Sequence, residues 1–159
     1  MQKQVLAEIG GRIFHDFLTL SEIIIPERTK KIMEFIFYLF AFWLGGTVYQ
    51  TLELWWRRRT HWTMFLAGGV CAVLLEFLCN GVFFALPLPF KCILGALIIT
   101  AVEFSFGCVV NLKMGMKVWD YSNLRGNILG QVCPYFSALW CVLSLPALLL
   151  LNLLHTAIV

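Results

Sequence analysis

Thirty-three consecutive residues, 127–159, carry no formally charged side chain. A second charge-free run covers residues 35–52. Runs of this kind admit few folds. In water they would need a large protein around them, and the chain has only 159 residues, enough for one domain. Charged residues make up 13% of the chain, against about 25% in a soluble domain. So few charges cannot cover the surface of a globule, and lipid must cover it instead. The fold class expected is an all-α integral membrane protein.

The apolar runs divide into about four transmembrane helices. The first covers residues 32–54, long enough to cross a hydrocarbon core of roughly 30 Å at 1.5 Å per residue. Trp55 and Trp56 mark its end, because indoles favour the membrane–water interface. Arg57, Arg58, Arg59 and His61 make a basic turn into a second span, 62–85. Pro87 and Pro89 force a short extended turn, since a residue before proline avoids the helical region. A third span follows over 90–111. The uncharged tail is too long for one crossing, and Pro134 suits the first turn of a helix. The fourth span is therefore expected over 134–154, with a short half-buried or re-entrant segment before it. One long tilted helix from Gly126 is the alternative. Gly68 and Ala72 on the second span, and Ala101 and Ser105 on the third, have the small-residue spacing that lets helix backbones approach in lipid.

Residues 1–31 are too charged to span. Val5, Ile9, Ile13, Phe17 and neighbouring apolar residues recur at three- and four-residue steps, which gives a helix one apolar face. An amphipathic, interfacial amino-terminal segment is expected there, before a single transmembrane domain over 32–159. Charges at Lys3, Glu8, Arg12 and Asp16 interrupt the apolar run a signal peptide needs. With four spans, Arg57, Arg58, Arg59, Lys113, Lys117 and Arg125 share one side, and Arg28, Lys30, Lys31 and Lys91 the other. Six against four puts the 57–61 turn and the 119–127 loop in the cytoplasm of a cell-membrane protein.

The longest polar island lies between the third and fourth spans. Glu103 and Phe104, then Trp119, Asp120, Tyr121 and Ser122, then Gly126, Asn127, Gly130, Ser137 and Trp140 make a pattern that resembles the ABC-transporter type IV, or CmpB-like, family. It is also similar to that of small four-span membrane proteins of eukaryotes. The likeness extends weakly into the first half through Gly46, Tyr49 and Glu53. It implies a transporter-related membrane protein and no particular substrate.

Three carboxylates fall within spans: Glu53, Glu76 and Glu103. An ionised acid at a helix centre costs about 2.5–3.5 kcal/mol on insertion scales, so each faces protein or a cavity. Glu53 stands four residues before Arg57, a favourable ion-pair spacing, and has a plain interfacial reading. Glu76 has no cation in its own span, and Glu103 none nearer than Lys91 at the far end of its span. Counted from the proline turn, their depths differ by roughly 5 Å. Antiparallel neighbours would then bring the two acids together as a polar pocket, with at least one ionisation suppressed. The plain reading has each acid hydrogen-bonded to Asn80, Thr100, Ser105 or backbone. In the loop, Asp120 and Ser122 suit a turn, and Trp119 and Tyr121 suit the headgroup level. The plain reading there is a structural plug. The sharper one is a ligand mouth, with Lys117 and Arg125 on a phosphate and Asp120 on a cationic group.

The candidate ligand-binding residues are thus Glu76, Glu103, Trp119, Asp120, Tyr121, Ser122 and Asn127. Tyr49, Glu53, Asn80, Lys117 and Arg125 are secondary candidates. No P-loop is present. His15, His61 and His155 are scattered, no Ser-His-Asp grouping is apparent, and no metal site, cofactor or enzymatic activity is expected. All six cysteines lie in or beside apolar blocks without the close spacing of a zinc site. The net charge of +3, tied to span ends, suits lipid contact rather than nucleic acid. The function expected is a small transporter or permease-like subunit with a polar intramembrane pocket. A non-transporting lipid-binding or assembly-partner protein is the alternative, and a lipid-modifying enzyme a third. Membrane lipids are the expected partners, with a homodimer or another membrane protein completing a pathway.

Overall fold

The computed structural model describes residues 27–159; the amphipathic segment expected over 1–31 therefore lies, but for its last few residues, outside the described part. The described chain is all-helical, with four helices long and apolar enough to cross a membrane. Helix α1 is Glu27–Arg57, and α2 is Trp62–Leu74 continued by a π-helical stretch, Leu75–Val82. Helix α3, Leu88–Gly107, is likewise continued by a π-helical stretch, Cys108–Lys113. Helix α4 is Pro134–Ile158. Phe37–Ile158 forms one compact unit, while the residues of α1 before Phe37 fall outside it. Among the latter, Glu27 and Lys31 form an exposed ion pair at 3.5 Å.

Hydropathy makes these segments helical in lipid, because a spanning backbone must satisfy its own hydrogen bonds. Their side-chain hydroxyls follow the same rule: Thr47, Thr51, Ser105 and Ser144 each donate to the carbonyl four residues earlier. Small residues then decide how closely the helices meet. A Cβ on Gly45 would stand 2.3 Å from the Ala72 Cβ, and one on Gly68 would stand 2.5 Å from the Tyr49 Cβ. Only glycine permits that approach, so the α1–α2 seam uses Gly45 together with the Gly68 and Ala72 seen in the sequence. The seam seats Tyr49 directly on Gly68. Phe37, Ala41, Ala67, Cys71, Leu75, Ile99, Val102 and Leu148 fill the space between the helices. All six cysteines are free.

Residues 127–133 are neither a helix nor a continuation of α4. They form a tight turn closed by an isolated bridge between Ile128 and Val132. Its second half is buried, and α4 starts at Pro134. The long-helix alternative from Gly126 is thereby removed: Gly126 (φ +72) and Gly130 (φ +69) have left-handed backbone that a helix cannot contain.

Candidate functional site

The three span carboxylates fall into three separate networks: those of Glu103 and Glu76 join different helices, and that of Glu53 joins the end of α1 to the turn and the loop. Glu103 on α3 accepts from the Tyr49 hydroxyl of α1 and from the Trp140 indole Nε1 of α4, both at 2.8 Å. The two rings are themselves stacked, with centroids 5.6 Å apart. Glu103 is buried and tethers the polar tips of both.

Glu76, in the π-helical stretch after α2, accepts from Asn80 Nδ2 at 2.7 Å and is paired with His155 Nδ1 near the end of α4. Asn80 also donates to the Leu148 carbonyl. The His155 ring stacks on Phe37 at 4.8 Å. The shared pocket expected for Glu76 and Glu103 therefore does not form. Their partners Trp140 and His155 stand fifteen residues apart on α4, roughly 22 Å along its axis. Counting residues from the proline turn measures depth in each helix. It says nothing about which neighbour the side chain turns toward. Of the partners considered for the acids, Asn80 is engaged with Glu76, whereas Thr100 donates to Ser137 and Ser105 to its own helix.

Glu53 is paired with Arg57, Oε1 to Nη1 at 2.7 Å, as the four-residue spacing suggests. Its other oxygen accepts from Thr60 at 2.7 Å. Arg57 then reaches across to the loop and donates from Nη2 to the Val118 carbonyl at 2.7 Å. That bond puts the 57–61 turn and the loop after α3 at the same end of the bundle.

The loop is organised by Asn111, a buried residue in the π-helical end of α3. Its Nδ2 donates to the Trp119 carbonyl (3.0 Å) and to Gln131 Oε1 (2.8 Å), and its Oδ1 accepts from the Val118 N–H (2.7 Å). The buried Trp119 donates from its indole to the Gln131 carbonyl at 2.9 Å. Gly107 makes room for this arrangement, because a Cβ there would stand 2.6 Å from Gln131 Oε1. Asn127 donates to the Ser122 and Leu124 carbonyls and accepts from the Gly130 N–H. The buried Trp119 and the half-buried Asn127 thus hold the loop together.

Asp120 is exposed, with Oδ1 accepting from the Ser122 N–H at 2.8 Å. That backbone hydrogen bond holds the Asp120 carboxyl below the usual carboxylate range. Tyr121 stacks on Phe136 at 4.6 Å, and burial pushes its phenol above the usual range. Ser122 and Arg125 are exposed.

Two cavities adjoin at this end of the bundle. The larger, about 230 Å³, is a mostly apolar cleft between α1, the start of α2, the loop and α4; Leu52, Trp55, Leu139 and Leu143 line it along with Tyr49, Trp140 and Tyr121. The stacked rings of Tyr49 and Trp140 form part of its wall, and Glu103 stands behind them rather than at the surface. The smaller, about 170 Å³, lies on the loop side, lined by Arg59, Thr60, His61, Met116, Lys117 and Val118. The Glu53–Arg57 pair borders both. Lys117 thus joins the arginine turn, whereas Arg125 and Asp120 lie outside both linings. Sequence reading missed Trp140, Asn111, Gln131 and His155 as partners of the polar groups it singled out. The signal available for Trp140 was its place in the family pattern. For Asn111 and Gln131 it was a lone amide inside an apolar block.

The model of the family described as "Putative ABC-transporter type IV" matches residues 33–159. No curated protein and no solved structure matches the chain.

Proposed function

The chain belongs to the ABC-transporter type IV family, and from that premise we propose that it is a permease-like membrane subunit which takes an amphiphilic ligand from the bilayer into the cleft between α1 and α4. The observation that carries this reading is the cleft itself. It is apolar along Leu52, Leu139 and Leu143, and it ends at the ordered aromatic wall of Tyr49 and Trp140. Trp55 and Trp56, both exposed, set its mouth at the interface, where a lipid-borne molecule presents its polar end. Glu103 is a positioning residue in this reading: it holds the two rings that the ligand meets.

The orientation that suits the basic residues puts this end in the cytoplasm of a cell membrane. The outward apolar faces of α1 and α4 are then available to lipid and to a second copy or an energising partner. A lipid-binding protein without transport would use the same cleft, and leaflet exchange of a fluorescent phospholipid in proteoliposomes separates the two.

The cleft is tested by photolabelling with a diazirine-bearing phospholipid and peptide mapping. Label should concentrate on Tyr49, Leu139, Trp140 and Leu143, and Leu139→Trp should block it. Label spread evenly over outward residues such as Val142 and Leu153, without enrichment in the cleft, refutes the reading.

A further inference from the structure

In the basic cavity beside the cleft, Arg57 and Val118 join the turn to the loop, whereas Arg59 and Lys117 take no part in that join. Glu53 is neutralised by Arg57 and is fully engaged, with one oxygen on Arg57 and the other on Thr60. Arg59 and Lys117 face the same cavity, and among the described residues no carboxylate is ion-paired with either. Both cations therefore lack an ion-pair partner, with Asp120, outside the cavity, as a longer-range negative neighbour of Lys117. Lys117 is held there by its backbone. It has left-handed φ (+50), which residues with a side chain seldom adopt, and the next N–H, that of Val118, is tied to Asn111 Oδ1 at 2.7 Å. Arg58 has φ +58 on the facing turn. Lys117 is thus set on a fixed turn, and Arg59 follows directly on the turn made at Arg58.

An anion bound between them would lie beside the Glu53–Arg57 pair. On the other side of that pair is the apolar cleft, at the same interfacial level as Trp55 and Trp56. The juxtaposition suits one kind of molecule, with a compact negative head and an apolar chain running down past Leu52, Leu139 and Leu143. Resting on the cleft reading above, we propose that the two cavities are a single site for a lipid with a phosphate monoester head. Such a phosphate carries about −1.5 to −2 charge at pH 7, which suits two cations that have no ion-pair partner of their own. A zwitterionic head, with its own ammonium, matches them less well. Arg57 offers its remaining guanidinium donors to the same phosphate without leaving Glu53, as a planar fork allows.

Native mass spectrometry of the detergent-solubilised protein tests this. Phosphatidate and phosphatidylcholine with identical acyl chains are offered at equal concentration, with inorganic phosphate as a separate competitor. Phosphatidate adducts should dominate by at least about tenfold. Arg59→Gln with Lys117→Gln should lower that preference by roughly 30-fold at most, about fivefold for each cation removed. Both residues are exposed, so the melting curve of the double variant should match the parent. Leu139→Trp should weaken both lipids and leave their ratio alone.

Equal adducts of the two lipids on the parent protein overturn the ligand class and leave the cleft reading standing. A phosphatidate preference untouched in the double variant puts the phosphate elsewhere and overturns the site. Inorganic phosphate displacing phosphatidate at equal concentration reduces it to a simple anion pocket. Adducts of neither lipid sink the cleft reading, and this inference with it.

Discussion

Replacing Glu103 separates charge from shape at the centre of the bundle. Its two partners differ in kind. Trp140 Nε1 can only donate, whereas the Tyr49 hydroxyl can donate or accept. In Glu103→Gln the amide oxygen can therefore accept from Trp140 while the NH₂ donates to the Tyr49 oxygen. Both hydrogen bonds survive once the Tyr49 hydroxyl reverses its sense, so this variant should lose less than about 1 kcal/mol. Glu103→Leu leaves both groups unpaired. Hydrogen bonds between membrane helices average about 0.6 kcal/mol with a maximum near 1.7, so two of them set a loss of about 1–3 kcal/mol. For a chain of this length that is a drop in Tm of roughly 3–10 °C. Thermal unfolding in detergent, followed by circular dichroism, reads both. Leaflet exchange in proteoliposomes, if the chain transports, should persist in the Gln variant and fall in the Leu variant as the aromatic wall loosens. A Gln variant as damaged as the Leu variant would refute this reasoning, since the carboxylate charge and not the tether would then matter.

Asn111→Leu should free the loop, because the Val118 N–H, the Trp119 carbonyl and Gln131 all lose a buried partner; a loss of at least about 2 kcal/mol is expected, with faster hydrogen exchange over residues 114–133 and little change in the spans. Stability should also depend on pH at both extremes. The depressed Asp120 carboxyl contributes stability above its unfolded pKa of about 3.9, and that contribution is lost as pH falls, a slope Asp120→Ala should remove. The raised Tyr121 phenol contributes stability that is full below about pH 10 and is lost as pH rises, and Tyr121→Phe should flatten that limb while keeping the stack on Phe136. Cysteines placed at Arg58 and Asn123, in a background without the native six, should both resist a membrane-impermeant thiol reagent in intact cells. Labelling at both would invert the orientation, and labelling at one alone would contradict the Arg57–Val118 contact.

The number of crossings was legible in the sequence because hydrophobicity and helix length act locally: lipid imposes helix on any apolar run long enough to cross it. The Glu53–Arg57 pair was legible for the same reason, since both groups ride one helix at a fixed spacing. The plug-like loop was legible in part, through Asp120 and Ser122, whose chemistry makes turns with their own neighbours. Which acid meets which donor was left to the tertiary structure. Tyr49 reaches Glu103 because Gly45 and Gly68 let α1 and α2 close, and Trp140 arrives because α4 begins at Pro134 rather than at Gly126. His155 reaches Glu76 across the opposite end of α4 by the same helix placement. Such contacts depend on the azimuth of each helix about its axis. Azimuth is decided by packing among all four helices at once, and no single stretch of sequence encodes it.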